Sequence, residues 1–121
     1  MNITTMAAKT FIKENSLVST KIDEINLYKD ELGELKISLL ISGFSRKSDY
    51  SKINLLFSDI IEFKFYHTHS YNFYTIENFK LLPIDDCIYL SFDPDNSDDK
   101  KSDNDSDFIY AKKLELFIVN E

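Results

Sequence analysis

The stretch KIDEINLYKDELGELKISLLIS, residues 21–42, decides the fold class of this chain. Ile25 and Leu27 flank Asn26 with Ile22 upstream, so residues 21–29 read as a strand with the period of two that places alternate side chains on opposite faces. Asp30-Glu31-Leu32-Gly33-Glu34 follows as a turn, in which Gly33 supplies the positive φ that tight reversals require. Residues 35–42, LKISLLIS, form a second run rich in β-branched and leucine side chains. Two such runs around a short polar turn make an antiparallel hairpin.

The same period continues downstream. Ile53, Leu55 and Phe57 alternate, and the phase slips at Ser58-Asp59 before Ile61, Phe63 and Phe65 alternate again. Two strands joined at a bend, or one bulged strand, account for the slip. Residues 79–84 and 87–92 flank Asp85-Asp86 as a second hairpin. In it Ile88, Leu90 and Phe92 face one side, and Cys87, Tyr89 and Ser91 the other. Residues 108–119 close the chain, with Leu114, Leu116 and Ile118 alternating against Lys113, Glu115 and Phe117. Upstream of the first hairpin the pattern is mixed: residues 1–20 are a lead-in, or hold a short helix over 4–13. The expectation is one all-β domain over residues 1–121, an antiparallel β-sandwich or partly open barrel of about seven to eight strands.

Composition narrows the function classes. The 121 residues hold one cysteine, so no intrachain disulfide forms, which fits a reducing compartment. No apolar run is long enough to span a bilayer and no signal peptide is evident, so a cytoplasmic location is expected. The formal charge of −7 disfavours nucleic acid and anionic membranes as partners, because both are repelled. Two glycines leave no phosphate-binding loop, so no nucleotide cofactor is expected.

Most of that charge sits in DPDNSDDKKSDNDSD, residues 93–107, between the last two strands. Asp93, Asp95, Asp98, Asp99, Asp103, Asp105 and Asp107 stand there against Lys100 and Lys101. A structureless loop of this length is usually functional or disordered. Three readings are open: a solvated loop that aids solubility, a cation site, or a negative surface that steers a basic protein. Asp93, Asp95, Ser97 and Asp99 place oxygens at alternate positions, as calcium loops do. The helix-loop-helix pattern nevertheless fails, because Asp98 and Asn104 stand where it needs Gly and Glu. A calcium-dependent β-sandwich binding module is therefore the alternative, and no metal ligand is assigned.

Other chemistry is thin. On a strand His67 and His69 would share a face, but two ligands fall short of a catalytic metal site, and a polar strand end or turn is expected there. Cys87 lies beside Asp86, whose charge disfavours a thiolate. No catalytic set emerges, and a non-enzymatic protein is expected. Tyr66, Tyr71 and Tyr74 lie in an aromatic-dense stretch, and exposed tyrosines often anchor protein interfaces. With Asp85 and Asp86 they complete the candidate partner-binding set around the acidic run.

Three segments form a frame: Ile53-Asn54-Leu55-Leu56-Phe57-Ser58-Asp59-Ile60-Ile61-Glu62-Phe63, then Tyr89-Leu90-Ser91-Phe92-Asp93-Pro94, then Asp107-Phe108-Ile109-Tyr110-Ala111 after the acidic spacer. Over residues 22–118 this resembles small bacterial all-β immunity proteins encoded beside polymorphic or contact-dependent toxins. The resemblance implies a protein that binds and neutralises a cognate toxin domain, including nucleases with basic clefts. Such families share no active site to carry over. Charge complementarity between an acidic protein and a basic cleft is consistent with that role.

Overall fold

The computed structural model describes residues 2–3, 12, 17–43, 52–66, 75–84, 86–95 and 100–119. They form eight strands: β1 (Asn2–Ile3), β2 (Thr20–Lys29), β3 (Leu35–Ser42), β4 (Lys52–Lys64), β5 (Thr75–Ile76), β6 (Lys80–Ile84), β7 (Cys87–Asp93) and β8 (Ser106–Val119). All pairings are antiparallel, and the sheet order is β5-β2-β3-β4-β8-β7-β6, with β1 against β8. The all-β expectation holds, as a single curled sheet.

The frame is a long ribbon. β4 pairs with β8 from Lys52↔Val119 to Lys64↔Phe108. β3 joins the ribbon along Lys52 to Phe57 of β4, whereas β7 joins it along Ser106 to Ala111 of β8. One hairpin thus hangs from each side of the ribbon, displaced toward opposite ends. The phase slip in β4 is a bulge in one continuous strand. Asp59 takes φ 52°, and the register then shifts between Ile60 and Glu62. Asp tolerates this left-handed region better than most residues, and the bulge adds the local twist that curls a sheet.

The curl is nearly complete. β5 and β6 occupy the two ends of the seven-strand path, yet only residues 77–79 separate them in sequence. Four residue steps reach about 14 Å at most. The two edges of the sheet therefore approach each other where Ile76 leads into Lys80, and the sheet becomes a partly open barrel. Its inside is the main core: Ile37, Leu39 and Ile41 of β3, Ile53, Leu55 and Phe57 of β4, Ile88 and Leu90 of β7, and Ile109, Leu114 and Leu116 of β8 are all fully buried. Burying each such side chain contributes about 1.5–3 kcal/mol. Ile12 and Leu17 are fully buried in the same core. The helix expected over residues 4–13 otherwise lies outside the described residues.

The first hairpin matches its sequence reading closely. Gly33 has φ 85°, and its N–H donates to the Asp30 carbonyl at 3.0 Å. The Asp30 N–H returns a bond to the Glu34 carbonyl at 2.9 Å. The Asp30 carboxylate accepts from the backbone N–H of Leu32 and of Glu34, both at 2.9 Å, and Lys36 lies 3.7 Å away. These partners hold the Asp30 carboxyl below its usual range, with the Glu34 N–H the strongest influence. No helix among the described residues is long and apolar enough to cross a membrane.

Candidate functional site

The outer face of the β6–β7–β8 sector is not a plain solvent face. Leu82, Tyr89 and Phe108 form a second buried cluster there, with Ile84 and Tyr110 packed against it. Ring centroids of Tyr89 lie 5.2 Å from Phe108 and 6.1 Å from Tyr110. Register explains the grouping, because Leu82, Tyr89 and Tyr110 stand side by side across three strands. Tyr89 does share the face of Cys87 and Ser91, as its parity requires, but it is fully buried. The acidic segment folds back over it.

Asp105 is the hub of that fold-back. Its side chain is inaccessible to solvent. One oxygen accepts from the Asp95 N–H at 2.8 Å, and the other from the Ser102 N–H at 3.0 Å and the Tyr89 hydroxyl at 2.8 Å. Lys80 Nζ donates to both oxygens, at 3.2 and 3.1 Å, and to the Lys100 carbonyl at 2.8 Å. One carboxylate therefore ties both arms of the segment to each other and to the sheet. The Asp105 N–H closes a turn onto the Ser102 carbonyl at 3.1 Å.

Electrostatics follow from this wiring. Burial alone pushes the Asp105 carboxyl upward, but the two backbone donors, Tyr89 and Lys80 outweigh it and hold it below the usual carboxylate range. Burial also raises the Tyr89 hydroxyl, reinforced by the bond to Asp105, its charge and the charge of Glu62. Among the described residues no buried side-chain nitrogen or oxygen lacks a hydrogen-bond partner.

Asp107 is a second internal carboxylate. It takes φ 49° and is 2% exposed, and it accepts the Tyr66 N–H at 2.7 Å. That contact docks the end of β4 beside the start of β8. Tyr66 itself is 50% exposed.

The candidate partner-binding residues therefore divide. Asp93, Asp95 and Asp103 are exposed on the described part of the segment, and Tyr66 is tied to its last residue through Asp107. Asp105 and Asp107 are corrected: they are internal structural acids and add nothing to an exposed patch. Asp86 is exposed but sits at the other end of β7, about 20 Å along the strand from Asp93, so the two do not form one patch. Asp85, Asp98, Asp99, Tyr71 and Tyr74 lie outside the described residues, as do His67, His69 and Ser97. Cys87 is a free, half-buried thiol. No group of three or more His, Cys, Asp or Glu side chains is arranged to hold a metal among the described residues.

Between the segment and the ribbon lies a cavity of about 330 Å³ lined by Glu62, Lys64, Lys101, Ser102, Asp103 and Phe108. Lys101 spans it, 3.5 Å from Glu62 and 5.1 Å above the Tyr110 ring. The Ser102 hydroxyl donates to Asp95 at 3.3 Å. Sequence reasoning gave Lys80 and Tyr89 no part in the site. A lysine in the buried-strand run of a hairpin, diagonal to a tyrosine, was the available signal.

Comparison with protein-family models, with curated proteins and with solved structures finds no match to this chain.

Proposed function

We propose that this protein is a non-enzymatic inhibitor of the immunity type, which binds a basic face of a cognate toxin domain through its acidic segment. The observation that carries the reading is the pinning of that segment by Asp105. Asp93, Asp95 and Asp103 project from backbone held at Asp95 and Ser102, and Asp107 of the same segment holds the exposed Tyr66 by its N–H. A surface ordered before contact loses less conformational entropy on binding. Negative charge gathered on such a surface steers a basic partner and accelerates its association. The inhibitor would act in the cytoplasm, against a toxin whose substrate cleft is positively charged.

The test is co-expression with the toxin encoded next to it, read by growth rescue and by association rate. Rescue is expected. The triple variant Asp93→Asn, Asp95→Asn, Asp103→Asn is expected to slow association about tenfold or more at low salt with an unchanged thermal midpoint. Absence of binding and rescue removes the function. Rescue with an unaltered association rate keeps the function and removes this surface.

A further inference from the structure

Among the described residues the barrel has one protected edge and one open edge. At β6 the edge carries Pro83, which has no N–H to offer a neighbouring strand. At β2, β5 covers only Thr20 and Lys21 among the described residues. Residues 26–29 are all exposed, including Leu27 at 42% and Tyr28 at 39%. No proline blunts this strand, and a strand with free backbone groups is a template for another.

The phase of the free groups is fixed by the turn. Asp30 and Glu34 form a hydrogen-bonded pair. Hydrogen-bonded and open pairs alternate along an antiparallel ladder. Tyr28↔Lys36, Asn26↔Ser38 and Glu24↔Leu40 are therefore hydrogen-bonded within the hairpin, and Ile25, Leu27 and Lys29 turn their N–H and C=O outward.

We infer that β2 is a self-pairing edge: two copies of this chain join β2 to β2 antiparallel about a two-fold axis through Asn26. Only registers that oppose outward-facing residues satisfy the backbone. Centring the axis on Ile25 sets Lys21 against Lys29, and centring it on Leu27 sets Glu24 against Asp30. Both oppose like charges, which destabilises a strand pair. Centring it on Asn26 sets Ile25 against Leu27, and Asp23 against Lys29, in both halves. That register alone combines apolar cross-strand pairs, opposite charges and matched backbone groups. It is isologous and closes at two copies, so no fibre grows from it. It is independent of the acidic segment and of any toxin.

The experiment is a dilution series by light scattering together with site-specific crosslinking in a Cys87→Ser background. The unmodified chain is expected to move from 14.2 kDa toward twice that mass as concentration rises. Leu27→Pro removes an outward N–H without touching a bond to β3, and is expected to leave a folded monomer by circular dichroism. Asn26→Cys places two thiols across the axis in an open pair, where Cα atoms approach to about 4.5 Å, within disulfide reach. It is expected to give a covalent dimer on oxidation. Tyr28→Cys places its two thiols about 13 Å apart along the strands and is expected to stay unlinked. A monomer at every concentration overturns the inference. So does a dimer that Leu27→Pro leaves intact, or Tyr28→Cys crosslinking as readily as Asn26→Cys.

Discussion

Asp30, in the turn of the β2–β3 hairpin, and Asp105, in the segment that joins β7 to β8, each serve as a backbone acceptor, in opposite surroundings. Asp30 takes two N–H groups of its own turn and has Lys36 at 3.7 Å, all at the surface. Asp105 takes two N–H groups from separate parts of the acidic segment and has Lys80 at 3.1 Å, with both charged side chains buried. Both accept two backbone N–H groups and face a lysine, with the Tyr89 hydroxyl added at Asp105, and both carboxyls are held below their usual range. What differs is the alternative open to each group when its partner is lost. At Asp30 water replaces the partner. At Asp105 nothing does, because Lys80 and Tyr89 remain enclosed. Matching backbone hydrogen bonds therefore have unequal weight.

The largest test of that contrast is Asp105→Ala. It leaves the Lys80 ammonium buried without its counter-charge and is expected to cost about 3–5 kcal/mol, measured by chemical denaturation. Asp30→Ala is expected to shift the denaturation midpoint far less, and equal losses would break the comparison. Acid is the next test. Both carboxyls are depressed on folding, so the stability they contribute is complete above the unfolded value of about 3.9 and disappears as pH falls through the lower folded values. The thermal midpoint should fall steeply in that acid window, and Asp105→Asn should flatten the fall more than Asp30→Asn does. Tyr89→Phe removes one donor to the buried charge and should cost about 1.5–3 kcal/mol. The smallest effect is expected at the exposed turn. Gly33→Ala meets no atom within 4 Å, so only its positive φ opposes it, at about 1 kcal/mol.

The same contrast explains what the sequence disclosed. The exposed hairpin was legible almost to the residue, because its signals are local: alternation in β2 and β3, and a glycine where the turn needs positive φ. The β4 bulge announced itself as a phase slip at Ser58-Asp59, close to the shift between Ile60 and Glu62. The second hairpin was legible as strands, and Ile88, Leu90 and Phe92 face the core as their alternation requires. Its outer face was not legible. Asp105 meets Lys80 and Tyr89 across 25 and 16 residues of chain, and no periodicity links an aspartate in a polar run to a lysine in a strand. The described aspartates of the run thus divide, Asp93, Asp95 and Asp103 at the surface and Asp105 and Asp107 inside, only once the segment is folded back.

The β4–β8 ribbon also sets the order in which the molecule can assemble. Its partners are 44 residues apart at Lys64↔Phe108 and 67 apart at Lys52↔Val119, while both hairpins close over a few residues. Loop closure is opposed by chain entropy before distant contacts form, so a topology dominated by distant pairs folds slowly. The two hairpins are early, local structures that wait for the last strand to arrive. Synthesis on the ribosome presents β8 after the other seven strands, so β4 and the hairpin on its flank remain an incomplete sheet until β8 emerges.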